Sequence, residues 1–369
     1  MTGLAPTAGL LSTLCLAACG VPADSVAAVQ DQCQDCHPDQ ATAMATGVKA
    51  QAADSALFQA LRAEVQAELG AGAVALCDRC HTPEVGTDHG LSCATCHAAV
   101  GHQAPENGLL IFDLRGPVRG PTGQADPRAP HAVAAGGIAN DSALCGTCHD
   151  VTGLAGFEES PYAHWSASPA AAAGTGCVDC HMSPVPGEDR ALHAEVTGPA
   201  ADLDDLAPRS LADHRFVGLN GDPEQAVALL ARAVELELTL QGDEVRVLVH
   251  NRNAGHALPD GASYLRELWV EVADDSGPLD PPTWLSTRLT RDGQEVASPT
   301  LADTQVRGAV EPLGSLELLL PRATGTVRAC LYFRAIRPDL LEHLGLDPEL
   351  AGPVWEVACA EAAEVAVAD

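Results

Sequence analysis

The sequence predicts an α+β chain with more than one domain: a loop-rich N-terminal part with few helices over residues 33–200, then a β-sandwich-like part over residues 223–369. Three observations lead to this. One pentapeptide pattern, C-x-x-C-H, recurs five times between positions 33 and 181. The segments joining the copies are mostly Gly, Pro, Ala and polar residues, which form little secondary structure of their own and stay ordered only against something large. Beyond Val234 the hydrophobic period becomes two, the period of half-buried strands. Aromatic residues make up only 3% of the 369 residues, too few for an ordinary aromatic-rich core, so another kind of group must fill part of the interior.

Taken in order, residues 1–18 are uncharged and mostly apolar, and Leu16-Ala17-Ala18-Cys19-Gly20 matches a bacterial lipoprotein cleavage box in which Cys19 becomes the acylated first residue. This predicts a signal peptide over 1–19 and a linker over 20–32, although no Lys or Arg stands at the start, where such signals carry positive charge. No later segment has eighteen apolar residues in a row. A helix is expected from Asp54 to Gly70, with Asp54 as cap and Leu57, Leu61, Val65 and Leu69 on one stripe. Residues 201–222 are read as a linker, and a second helix starts at Asp222-Pro223-Glu224-Gln225 through a capping box. Strands follow around Val234–Leu240, Val245–Val249, Leu268–Val272, Trp284–Leu289, Leu316–Leu320, Val327–Phe333 and Val354–Ala358, with turns at Gly242-Asp243 and Asp292-Gly293. About seven strands suffice for a sandwich.

The five copies are Cys33-Gln-Asp-Cys36-His37, Cys77-Asp-Arg-Cys80-His81, Cys93-Ala-Thr-Cys96-His97, Cys145-Gly-Thr-Cys148-His149 and Cys177-Val-Asp-Cys180-His181. With 14 cysteines and 14 histidines in the chain, chance would produce the pattern on the order of 0.02 times. Two thiols at this spacing each form a thioether to one haem vinyl group, and the adjacent His becomes the proximal ligand of the iron. Five covalently attached haems c are therefore expected, and they would supply the missing aromatic core. Cys77, Cys80, Cys93 and Cys96 also have zinc-ribbon spacing, but zinc does not require a His after every second Cys. A disulfide scaffold does not repeat one pentapeptide, and thioredoxin-like motifs do not come in fives.

Each haem needs a sixth ligand unless it is a reaction site. After removal of the signal only Met44 and Met182 remain as thioethers, and Met182 directly follows a proximal His, so bis-histidine ligation is the default. Nine histidines lie outside the motifs. His250, at the end of a valine-rich strand, and His343, in a Leu-rich segment, read as structural or exposed, and His164 beside Trp165 is open to either reading. His89, His102, His131, His193, His214 and His256 are the distal candidates.

At this point the chain resembles the multihaem c-type cytochromes related to the tetrahaem cytochromes of ammonia oxidisers and to periplasmic or surface cytochromes of metal-reducing bacteria. The carriers are Leu76-Cys-Asp-Arg-Cys-His-Thr-Pro83, His89-Gly-Leu-Ser-Cys93, Leu144-Cys-Gly-Thr-Cys-His-Asp150, Tyr162-Ala-His-Trp-Ser-Ala-Ser168 leading to Cys177–Met182, His214-Arg-Phe-Val-Gly218 and Asn253-Ala-Gly-His-Ala-Leu-Pro-Asp-Gly261. They span most of positions 31 to 275. In similar proteins the His of the GH-x-x-P-x-G loop, carried on a β domain, reaches back to the haem region, which implies a ligand or contact role for His256 and another for His214. Similar chains also follow the first haem motif with W-x-x-S-x-H-A-x-A, whose His is a distal ligand. Aligned here, Lys49 stands at that His. It is the single lysine in the chain, against 19 arginines. A neutral amine can ligate iron where a guanidinium cannot. Lys49 is then a distal ligand, or else a solvated lysine with another His or an open position at that haem.

Cys330 and Cys359 remain, and in an oxidising compartment a disulfide between two strands is expected. The resemblance implies electron transfer. The alternative is a multihaem oxidoreductase of nitrogen or sulfur compounds with one open haem. Fifty acidic residues against 20 basic give a net charge of -30, which excludes a nucleic-acid surface and favours redox partners with a basic docking face. Haem c attachment and the lipobox together predict a location outside the cytoplasm, on the periplasmic side or the cell surface, with lipid anchoring in a membrane.

Overall fold

The first half of the protein is built from short helices strung between loops. The computed structural model describes residues 32–83, 90–154, 157–217, 223–241, 244–321 and 325–363. The expected signal segment, Cys19, His89 and the expected Asp222 cap and Gly242-Asp243 turn lie outside them. The helices are α1 (Cys33–Cys36), α2 (Pro38–Thr46), α3 (Ala56–Glu68), α4 (Ala71–His81), α5 (Cys93–His97), α6 (Ser142–His149), α7 (Pro161–Ser166), α8 (Pro169–Ala172) and α9 (Cys177–His181). The expected helix at 54–70 is α3, with Ser55 rather than Asp54 at its N-cap position. Gly70, expected as its end, takes φ 81° and becomes the N-cap of α4, so one residue ends one helix and starts the next.

The second half alternates as expected. Helix α10 (Pro223–Ala233) runs directly into β1 (Val234–Gln241), followed by β2 (Glu244–Asn251), β3 (Glu267–Asp274), β4 (Gly277–Pro278), β5 (Thr283–Trp284), β6 (Arg288–Arg291), β7 (Gln294–Val296), β8 (Thr304–Val306), β9 (Ser315–Pro321), β10 (Thr326–Arg334), α11 (Pro338–Leu344) and β11 (Val354–Ala363). One antiparallel sheet has the order β9-β2-β1, and a second has β4-β3-β10-β11 with β5 also beside β3. Val245, Val247 and Val249 of β2 pack against Leu268, Val270 and Val272 of β3 and Val327, Ala329 and Leu331 of β10 in one core. Each such side chain contributes roughly 1.5–3 kcal/mol when fully buried. The expected strand Trp284–Leu289 divides in two. The Ser286 hydroxyl takes the Leu268 amide at 2.7 Å, and the chain then leaves that sheet to form a third, β7-β6-β8. Asp292-Gly293 forms the β6–β7 turn with both φ values positive, as a type I′ hairpin requires. Cys330 and Cys359 lie opposite one another in the β10–β11 register, with Cα atoms 4.2 Å apart, and are bonded as a disulfide.

Two features join the halves. Val65, Val74 and Phe157 share a cluster with Tyr264, Leu289 and Ala302. Glu64 of α3 accepts hydrogen bonds from Ser298 and Thr300, both at 2.7 Å, and contacts His343 at 2.9 Å; these partners hold its carboxyl below the usual carboxylate range against the upward push of burial. The stretch read as a linker from 201 also packs on the first half: the Asp202 amide donates to the Cys36 carbonyl at 2.7 Å and the Asp213 amide to the Met182 carbonyl at 2.8 Å.

Candidate functional site

C-x-x-C-H is a helical signature here, because residues i, i+3 and i+4 share one face. The first motif forms α1 with His37 at its C-cap; α4 and α6 end on the second and fourth motifs; the third and fifth form α5 and α9. Two are set by side-chain caps, Ser92 to the Ala94 amide and Asp141 to the Ala143 amide. All ten motif cysteines are half-buried and take no part in the disulfide. With the five motif histidines they line one cavity of about 1720 Å³, well above the roughly 300–1,000 Å³ of a site for one small ligand. The Cys80 thiol lies beside that of Cys148, and the Cys145 thiol beside that of Cys177. The fourth motif therefore sits between the second and the fifth.

Four further nitrogen donors line the same cavity: Lys49, His131, His214 and His256. Each faces one motif histidine. The His37 and His131 ring centres are 6.3 Å apart, and the pairs His97/His214 and His181/His256 are each at 6.4 Å, the last two nearly parallel at 19° and 15°. An imidazole nitrogen lies about 2 Å from a metal it binds, with its ring centre roughly 1 Å further back, so imidazoles on opposite sides of one ion have centres about 6 Å apart. The spacing is that of three ion-sized gaps. Lys49 Nζ is 2.7 Å from His149 Nε2. That is shorter than the about 4 Å expected across an ion, so the contact identifies the partners but not a gap between them.

Hydrogen bonds orient the rings. His37, His81, His97, His214 and His256 each place Nδ1 on a backbone carbonyl, of Ala200, Ala52, Arg119, Ala212 and Ala257 respectively, at 2.6–2.9 Å. A ring whose Nδ1–H is so engaged keeps a lone pair on Nε2, as a metal ligand must. Strand Val118–Gly120 pairs in parallel with Val133–Ala135, which brings the carbonyl that holds His97 close to His131. The turn before His256 depends on Gly255, at φ 72° and against Ala170. Lys49 is held where the Leu91 amide meets its carbonyl at 3.1 Å. This approach needs Gly90, because a Cβ there would lie 2.3 Å from the Ala50 carbonyl oxygen. Two of the motif imidazoles are held neutral: the neighbouring Lys49 and then burial hold His149 far below its usual range, and burial followed by His256 brings His181 to about 4.

Other candidates fall elsewhere. His193 does not reach the cavity; its ring lies 2.9 Å from Glu188 and 3.9 Å from Glu195, because the short turn Arg190–His193 directs it to the acidic surface. His102 sits on strand Ala99–His102, outside the cavity lining, with a buried Nδ1 that has no hydrogen-bond partner. His81 stacks on Phe58 at 3.8 Å, and among the described residues no further histidine or lysine lines the cavity opposite it. Sequence reasoning missed the acidic wall next to the second and fourth motifs. Desolvation first, then Asp260, pushes the Glu159 carboxyl up to about 7, and desolvation raises Asp150 to about 6 although it accepts the Tyr162 and Ala163 amides. The -P-D-G- of the GH-x-x-P-x-G loop was the signal available in sequence.

Five C-x-x-C-H helices stand around one shared cavity, in a fold similar to that of a multihaem cytochrome. The particular likeness is to the crystal structure of a penta-haem cytochrome c552 from Thermochromatium tepidum, with a TM-score of 0.66 and 19% sequence identity over 92% of this chain and 100% of that one. No family model matches the sequence, and no curated protein does.

Proposed function

We propose that the protein is a five-haem electron carrier, with haem c thioether-linked at Cys33/Cys36, Cys77/Cys80, Cys93/Cys96, Cys145/Cys148 and Cys177/Cys180. His37, His81, His97, His149 and His181 are the proximal ligands. His131, His214 and His256 complete three bis-histidine haems, and Lys49 completes the haem of His149. When bound, haem supplies a one-electron change at iron. The residues of the chain orient Nε2 of five rings through carbonyl bonds and place the motifs side by side. The observation that carries this reading is the trio of facing imidazole pairs at 6.3–6.4 Å across a cavity ringed by ten thiols. The penta-haem character of the neighbour supports the count.

Cys19 acylation would tether the carrier outside the cytoplasm. Its charge of -30 would steer partners with a basic docking face, giving salt-dependent association. A second reading rests on His81: without a described counterpart, its haem could bind a small ligand as an enzyme site. The mass of the mature protein together with haem stoichiometry tests the count and the acyl group. Colourless protein, or pigment extractable by acidified acetone, would overturn the carrier. A high-spin signal that responds to nitrite, hydroxylamine or carbon monoxide would move the assignment to the enzyme.

A further inference from the structure

His256 is bound differently from the other histidines in the cavity. Like His37, His81, His97 and His214 it has a backbone carbonyl at Nδ1, that of Ala257 at 2.8 Å. In addition the Asp260 Oδ2 lies 3.8 Å from the same nitrogen, and among the described residues no other cavity-lining histidine has a carboxylate within ion-pair distance. Asp260 is 5% exposed at its side chain, so little water screens its charge from the ring.

The carboxylate is itself held in a network that leads outward. Asp260 Oδ2 is 2.6 Å from His164 Nδ1, the Gly261 amide donates to Oδ1 at 2.9 Å, and Arg307 Nη2 is 3.8 Å from Oδ1. Arg307 Nη1 is also 2.7 Å from His164 Nε2. A guanidinium can only donate, so His164 Nε2 accepts from it and His164 Nδ1 carries the proton given to Asp260. His164 therefore connects a carboxylate and an arginine, and it borders a different cleft from the one the motif histidines line. The three residues border a small polar cleft of about 100 Å³ between α7 and the β domain.

We propose that Asp260 is a positioning residue that lowers the reduction potential of the haem held by His181 and His256, and that Arg307, acting through His164, moderates that effect. The inference rests on the ligand reading given above. The mechanism is electrostatic. A fixed negative charge beyond the distal imidazole favours the ferric state with its extra positive charge, and hydrogen bonding and charge around an axial ligand are recognised means of setting haem potential. The cationic Arg307 offsets part of that charge. The carrier then has one haem whose potential is set separately from the others, at the point where the β domain meets the haem cavity.

The test is a spectropotentiometric titration of the full-length, haem-loaded protein in two variants, with a third read by spectroscopy. In Asp260→Asn one component of the titration shifts to higher potential and the others stay in place. In Arg307→Gln the same component shifts to lower potential. Components that all superimpose on the parent in Asp260→Asn, or shifts of the same sign in both variants, overturn the proposal. His256→Met, read by low-temperature electron paramagnetic resonance, keeps the two questions apart. If it leaves the low-spin signals unchanged, the ligand assignment fails. If it changes them while Asp260→Asn moves nothing, only the tuning role fails.

Discussion

Replacing Lys49 with Ala isolates the least conventional of the proposed ligands. Its amine meets His149 Nε2, one of five motif imidazoles, so the truncation should convert one haem in five, and no more, from low to high spin. The fold should tolerate the change. The Leu91 and Ala52 amides bond to the Lys49 backbone carbonyl, at 3.1 and 3.2 Å, and not to its side chain. Stability is expected to stay within roughly 0.5 kcal/mol of the parent. Low-temperature electron paramagnetic resonance with integrated haem content reads the spin change, and urea unfolding reads the stability. Lys49→Arg should behave like the alanine variant, because a guanidinium does not deprotonate to offer a lone pair. Lys49→His should restore a wholly low-spin haem at that position. An unchanged set of low-spin signals in Lys49→Ala refutes the assignment.

Three further outcomes are expected. Removing the Cys330–Cys359 cross-link, whose sequence separation is 29, should cost about 3.5 kcal/mol by the chain-entropy relation; a shift below about 1 kcal/mol in denaturant titration, with an unchanged slope, would show that the bond constrains little. Glu159, raised chiefly by desolvation from the ordinary 4.5 to about 7, binds its proton more tightly when folded, so its contribution is complete below about pH 4.5 and is lost as pH rises through 7, on the order of 3 kcal/mol. Glu159→Gln should flatten that part of the stability–pH curve, and an unaltered curve in the variant would exclude Glu159 as its source. Substituting both Cys177 and Cys180 by Ser should lower the haem content by one fifth, as measured by the pyridine haemochrome assay; a content equal to that of the parent would remove the fifth motif from the attachment sites.

The attachment chemistry was legible in the sequence because C-x-x-C-H is local: a single helical turn presents both thiols and the imidazole, whatever surrounds it. Period-two alternation likewise marked the strands, since Val245, Val247 and Val249 face inward wherever the sheet lies. The helix start at Asp54 was displaced by one residue and the Trp284–Leu289 strand divided, because a Ser286 side chain replaced a backbone partner.

Distal ligands are a different matter. His131, His214 and His256 lie 94, 117 and 75 residues from the histidines they face, as counted from His37, His97 and His181, and no period or spacing encodes such a pairing. His193 was an equally good candidate by composition, and it points to Glu188 because a short turn directs it there. The single lysine among 19 arginines was visible from the outset; that it meets His149 depends on the close approach allowed at Gly90. The sequence by itself determined where the proposed attachment sites stand, since each is written within five consecutive residues. Only the tertiary structure decided which donors face each motif histidine and which of those donors has a carboxylate behind it, because those distances arise when segments far apart in the chain close around one cavity.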